Sequence, residues 1–136
     1  MDKEYRGDRK TDRHLRKMAG LYGMIWMALA ASFWLFYGDS QIAMLHVIVV
    51  QYVILPILSF GFSAVAGALR LSLRYILAMP MFFAGTYLLY DLLTLSLAQM
   101  LLAGVAAFAE LSEIVAVVLV SATGILVGAG VGKLRK

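Results

Sequence analysis

The chain has 136 residues, 62% of them hydrophobic and only 15% charged, and a formal net charge of +4. A soluble domain carries about a quarter charged residues, and a chain this small has too much surface to hide so much apolar material, so the composition excludes a soluble globular fold. There is no cysteine, which excludes disulfides, thiolate metal sites and a cysteine nucleophile.

A charged tail occupies residues 1–17, with seven Lys or Arg and four Asp or Glu. Thr11 is a good N-cap, and Asp12 follows it where the helix dipole favours an anion, so a helix is predicted to begin there. The residues before it are expected to be solvated and partly disordered. Acids interleave with the bases and no stacking aromatics accompany them, so nucleic-acid binding is not predicted. An attraction to anionic lipid headgroups is the alternative role.

The first two apolar segments are residues 18–38 and 42–69. About 20 apolar residues in a helix suffice to cross a bilayer, and both segments reach that length. Gly38–Gln41, between them, has the composition of a turn. Together with two later segments, they form the membrane domain predicted for residues 18–136.

The second segment divides at Pro56 into a polar half and a small-residue half. Proline cannot donate a backbone hydrogen bond, so Pro56 predicts a kink. His46 and Gln51 precede it as the polar residues of the first half. Gly61 and Gly67 follow it among serines and alanines, a composition that favours close helix packing.

The third and fourth segments are predicted at residues 75–102 and 105–132, folded back on each other at Ala103–Gly104. Pro80 is the second predicted kink, near the beginning of its helix, where a missing N–H costs least. A turn near Ser96–Gln99 is the alternative.

One face of the fourth segment consists of small residues at a four-residue spacing. They form two GxxxG motifs in series, which let helix backbones approach closely. The sequence leaves open whether the partner helix is in the same chain or in a second copy. The residues of this face are Ser121, Gly124, Gly128 and Gly132.

Polar groups inside these apolar helices form the candidate functional site. Insertion of a central Asp into a membrane costs roughly 2.5–3.5 kcal/mol, so such a residue is a functional hypothesis by default. A carboxylate without a nearby cation stays protonated or binds a cation, and the sequence has no Lys or Arg between Arg74 and Lys133. The predicted proton or cation site comprises Asp91, Glu113, Glu110, His46, Gln51, Tyr87, Tyr90 and Thr94.

Two alternatives stand beside this site. Tyr87 and Tyr90 share a helix face with Asp91, but interfacial aromatic residues would show the same pattern. If the third turn lies near Ser96–Gln99, then Glu110 and Glu113 sit at the outer membrane interface and Asp91 is shallow.

No motif in the chain predicts catalysis. HExxH, GxSxG and a Ser-His-Asp set of defensible geometry are all missing from the sequence. The sequence therefore predicts a protein that is not an enzyme and uses no cofactor or metal.

The small-residue faces favour an accessory, assembly or regulatory subunit of a bacterial inner membrane that acts by helix packing. Its partners would be the lipid bilayer and either a second copy or a larger membrane protein. The alternative is a proton- or cation-coupled small transporter or channel. It would work as an oligomer, because four helices enclose little volume.

The positive charges predict the topology. All twelve Lys and Arg lie in residues 1–17, 70–74 and 133–136. Four spans arranged as two hairpins place these segments on one side of the membrane, and the positive-inside rule assigns that side, with both termini, to the cytoplasm.

Reporter fusions test this topology. Fusions at Ser40 and Gly104 should report an external location, and a fusion at Ser72 an internal one, because the basic segments flank the internal ends of the spans. A cytoplasmic signal at Ser40 would contradict the four-span arrangement.

Overall fold

The computed structural model describes residues 2–69, 73–105 and 109–134, with the side chains of 10–69, 74–105 and 109–134. Within these ranges the chain is helical apart from short connections and has no strand. Four helices there are long and apolar enough to cross a membrane. The predicted all-α class with four membrane-length helices is thus confirmed.

We number these helices α1 to α4. In chain order they begin at Asp2, Ser40, Leu73 and Leu111. Two of them contain a π-helical turn, so each of these is a series of three segments. The bounds are Asp2–Phe36 for α1; Ser40–Val49, the π turn Val50–Ile54 and Leu55–Ala68 for α2; Leu73–Asp91, the π turn Leu92–Ser96 and Leu97–Ala103 for α3; and Leu111–Leu134 for α4.

Two predicted helix starts are wrong. Helix α1 begins at Asp2 and not near Thr11, because Lys, Arg and Glu are good helix formers and extending an existing helix costs less than nucleating one. Helix α4 begins at Leu111 and not at Val105. The Glu110 carbonyl accepts its first backbone hydrogen bonds, from Glu113 and Ile114.

Two connections agree with the sequence. The Asp39 carboxylate accepts hydrogen bonds from the N–H groups of Gln41 and Ile42 and so caps α2. Helix α3 ends at Ala103, inside the turn predicted at Ala103–Gly104, and Gly104 caps it with a φ of +66°, a conformation that glycine adopts at little cost. Of the basic segment at residues 70–74, residues 70–72 lie outside the described part of the chain. Residues 135 and 136 lie outside it as well.

The second half of α2 packs on α4 through their small residues. A Cβ on Gly124 would lie 2.7 Å from the Phe60 carbonyl oxygen, and one on Gly128 would overlap the Ala64 carbonyl. On the α2 side, a Cβ on Gly67 would overlap the Ile125 carbonyl. The partner of the glycine face is therefore a helix of the same chain.

Three further predicted packing residues can be placed. Ser121 is fully buried, and its Oγ lies 2.7 Å from Ser63 Oγ in a hydrogen bond. A Cβ on Gly132 would lie 3.0 Å from the Ala68 carbonyl oxygen, so this glycine also belongs to the interface. Gly61 does not: it is exposed and nothing lies within 4 Å of its Cβ position, because it faces away from α4.

Helix α1 joins α3 through aromatic residues with polar tips. The hydroxyls of Tyr22 and Thr86 hydrogen-bond each other at 2.9 Å. The Trp26 indole donates to the Thr86 carbonyl at 3.1 Å. Tyr22 also packs edge-on against Phe62 and Phe83, which places α1 against both α2 and α3.

Enlarging Gly128 should destabilise the fold, whereas the same change at Gly130 should not. Gly128→Leu forces α4 away from the Ala64 backbone, and overpacking of this kind costs about 1–3 kcal/mol or more. Gly130 has open space at its Cβ position, so Gly130→Leu is the matched control. Thermal unfolding in detergent is the measurement, and equal melting of the two variants would contradict this packing.

Candidate functional site

A π-helical turn in α2 positions Gln51. Pro56 has no N–H to donate, and immediately before it the helix widens so that the Leu55 N–H donates to the carbonyl of Val50, five residues back. One extra residue in a turn rotates the flanking faces by about 100° relative to each other. Gln51 lies inside this turn with only 2% of its surface exposed.

A second π-helical turn lies in α3, directly after Asp91. Here the Leu97 N–H donates to the Leu92 carbonyl, without any proline. Two side chains donate hydrogen bonds to backbone carbonyls at this turn. The Trp34 indole donates to the Leu93 carbonyl at 3.2 Å, and the Thr94 hydroxyl donates to the Tyr90 carbonyl at 2.7 Å. Single π turns of this kind occur often at functional sites.

The two π turns bring Gln51 and Asp91 together. Gln51 Nε2 donates a buried hydrogen bond of 3.1 Å to Asp91 Oδ1, and Asp91 is only 7% exposed. Asp91 therefore faces the bundle interior beside a polar residue of α2.

The other end of the Gln51 amide is unpaired. Gln51 Oε1 is buried and has no hydrogen-bond partner in the described residues. The Tyr87 side chain lies beside the same amide. A buried acceptor without a donor costs about 1–3 kcal/mol, so an unfilled Oε1 needs an explanation.

The pair opens into a cavity of about 520 Å³, which we call the acidic cavity. The first part of α2, the second part of α3, the end of α1 and the beginning of α4 surround it. Most of its wall is apolar. Its polar and ionisable lining residues are Asp91, Glu110, Glu113, Gln51, Tyr52, Tyr37, Ser40, Ser96 and Gln99.

Both glutamates lie at the beginning of α4. Glu113 is in the first turn, where the helix dipole favours an anion, and it accepts a hydrogen bond from the Tyr52 hydroxyl. Glu110 is exposed and accepts from Ser112 at 3.3 Å. Because α4 begins at Leu111, Glu113 lies in its first turn and not deep in the helix, yet it lines the same cavity as Asp91.

Four predicted site residues lie outside the acidic cavity. His46 Nε2 hydrogen-bonds Ser32 at 2.7 Å, and its ring lies close to Phe33. Tyr90 is fully buried against Trp26, and its hydroxyl has no partner in the described residues. The Thr94 hydroxyl donates to the Tyr90 carbonyl of its own helix, and Tyr87 belongs to the apolar core beside Gln51. Their predicted part in a proton or cation site stays a prediction.

Among the polar lining residues, sequence reasoning missed Tyr37, Ser40, Tyr52, Ser96 and Gln99. Gln99 follows Asp91 by eight residues, or about 2.2 helical turns, so helical spacing could have indicated it. Ser96 could not be found in this way, because the π turn shifts it onto the cavity face. Tyr52 is 57% exposed on a helix face that otherwise points outward.

The carboxylates do not form a chelating cluster. Among the described residues no three His, Cys, Asp or Glu side chains converge closely enough to hold a metal ion.

Replacing Asp91 tests the buried pair. In Asp91→Asn the new amide oxygen can still accept from Gln51, so stability should change by less than about 1 kcal/mol, whereas Asp91→Leu leaves the Gln51 amide unpaired and should cost about 1–3 kcal/mol. Thermal unfolding of both variants in detergent checks this. Equal stability of the two would show that the Gln51 amide is bound to water or to another group.

Comparisons with known proteins add no relative. No protein-family model matches the chain, and neither the curated proteins nor the solved structures contain a significant match. The function must therefore be argued from the residues of the acidic cavity.

Proposed function

We propose that this protein is a small transporter or channel of a bacterial inner membrane and moves protons or cations through the acidic cavity. The observation that carries the proposal is the buried Gln51–Asp91 pair at the wall of a 520 Å³ cavity that also exposes Glu110 and Glu113. A packing subunit has no need for a buried carboxylate, which is costly in a membrane.

The charges of the region favour cations over anions. Three carboxylates line the acidic cavity, and the sequence offers no Lys or Arg between Arg74 and Lys133 to balance them. A cleft lined by one sign of charge, with apolar walls, concentrates counter-ions. Asp91 can hold either a proton or a cation, and the amide of Gln51 supports its charged form with a hydrogen bond.

The proposal includes an orientation. With both termini in the cytoplasm and the four helices arranged as two hairpins, the acidic cavity belongs to the outer half of the membrane. The segregation of all twelve Lys and Arg supports this orientation. Cations would then enter from the outside, where the carboxylates are nearest to water.

The proposal also includes self-association. In the most apolar window of α1 only 11% of the residues are buried, against 28–33% in the other three helices. Helix α1 therefore offers most of its surface to lipid or to another protein. A second copy packed on α1 would complete a pathway that four helices alone are too few to enclose.

The loose packing of α1 also favours a second candidate function, an accessory or assembly subunit that presents α1 to a larger membrane protein. The glycine face of α4 no longer supports this candidate, because α2 occupies it. An accessory subunit would not need the Asp91 carboxylate.

Flux measurements in proteoliposomes separate the two candidates. Uptake of protons, followed with an entrapped pH-sensitive dye, and uptake of Na⁺ should exceed that of empty liposomes. Asp91→Asn should lower this uptake at least about tenfold, since a loss of 1.4 kcal/mol in binding already corresponds to that factor.

Asp39→Asn is the matched control. It makes the same chemical change at an acid outside the acidic cavity, and asparagine caps a helix as well as aspartate, so flux should be preserved. Uptake equal to that of empty liposomes would reject transport of protons and Na⁺ and favour the accessory subunit.

A further inference from the structure

We infer that the acidic cavity binds a protonated amine, meaning an organic cation with at least one N–H bond and an apolar body, whose N–H is accepted by Gln51 Oε1 beside the Asp91 carboxylate. This inference rests on the proposed function and names the substrate class of the same site.

The first argument is the unpaired oxygen of Gln51. The Gln51 side chain lines the cavity, and only 2% of its surface is exposed. Its Nε2 donates to Asp91 at 3.1 Å, while its Oε1 has no partner in the described residues and is covered by protein, so a ligand reaches it once neighbouring side chains move aside. An amide oxygen can only accept hydrogen bonds, so whatever group pairs with it is a donor.

The second argument is the charge next to that oxygen. Asp91 and Glu113 both line the cavity, and the Asp91 carboxylate is bonded directly to the same amide. A donor that also carries positive charge satisfies Oε1 and the carboxylate together, and charge-assisted hydrogen bonds are roughly twice as strong as neutral ones. A neutral donor would leave the negative charge uncompensated.

The third argument is the size and polarity of the cavity. About 520 Å³ lies within the range of small-molecule sites and far exceeds what a proton or a bare ion requires. Phe33, Val47 and Leu95 contribute to its apolar wall. The rings of Tyr37 and Tyr52 are there as well, and aromatic faces attract organic cations. These surroundings suit an amine with an apolar or aromatic body.

The chemistry distinguishes a protonated amine from its nearest alternatives. A quaternary ammonium carries the same charge but has no N–H, so it leaves Gln51 Oε1 unpaired. A chelated metal ion needs converging ligands, which the described residues do not provide. An anion of the same size is repelled by the three carboxylates.

The test compares two probes that differ by one methyl group. N,N-Dimethylbenzylamine is protonated at neutral pH and carries one N–H, and benzyltrimethylammonium carries none. Isothermal titration calorimetry on the full chain in lipid nanodiscs should show the first binding at least about tenfold more tightly than the second. Phenylacetate, an anion of similar size, should not bind.

Two variants assign this preference to residues. Gln51→Leu should abolish the preference for the N–H probe, so that the two probes bind about equally tightly. Asp91→Asn should weaken the binding of both probes at least about tenfold. Asp39→Asn, outside the cavity, should bind as the unmodified chain does. If Gln51→Leu does not fold, the ratio of the two probes on the unmodified chain still decides.

Several results would overturn the inference. Equal binding of the two probes, or binding that survives Asp91→Asn, would show that Gln51 Oε1 is not the acceptor or that the amine binds elsewhere. Asp91-dependent flux of protons or Na⁺ without amine binding would reject the amine and leave the proposed function standing. Amine binding without flux of any cation, the amine included, would retain the binding site and reject transport.

Discussion

A carboxylate buried in an apolar helix needs a partner, and the partner of Asp91 is an amide and not a cation. Gln51 donates to Asp91 from the neighbouring helix, and both helices widen into π turns at this level. A Lys or Arg in place of Gln51 would neutralise the charge permanently. The amide hydrogen-bonds the carboxylate without neutralising it, and the proposed function uses this to let the site take up a proton or a cation.

Helices α2 and α4 both line the cavity, and they pack tightly against each other at their other ends. Beyond Pro56, α2 and α4 approach until Gly124 and Gly128 touch the opposing backbone. Before it, the π turn changes the face that α2 presents, and bulky or polar side chains replace the small ones. Tight packing in one half of the helix pair thus fixes the geometry of an open, ligand-sized space in the other half.

Much of the architecture could be predicted from the sequence, because hydrophobic length and small-residue spacing are local signals. The four helices, the end of α3 at Ala103 and most of the glycine face follow from them. The beginning of α4 at Leu111 does not, since the apolar composition of the preceding residues suits a helix equally well.

The candidate site was only partly predictable. Polarity indicated Asp91, Gln51 and both glutamates, and the structure brings these four residues to one cavity. A π turn, however, is a feature of the backbone that side-chain polarity does not indicate. Only Pro56 indicated an irregularity at the first of the two turns. The second shifts Ser96 onto the cavity face and could not be read from spacing.

The proposed function requires an acidic cavity that is open to water and electrostatically negative, and because the sequence has no cysteine this can be measured directly. A single cysteine is placed at Gln99, which lines the cavity, or at Leu97, which is 38% exposed on the apolar surface. In nanodiscs, cationic and anionic methanethiosulfonate reagents are compared. We expect the Gln99 cysteine to react faster than the Leu97 cysteine and to prefer the cationic reagent, and we expect Asp91→Asn to weaken this preference. Equal reaction at both positions, or no preference for positive charge, would show that the acidic cavity is closed to water or not negative.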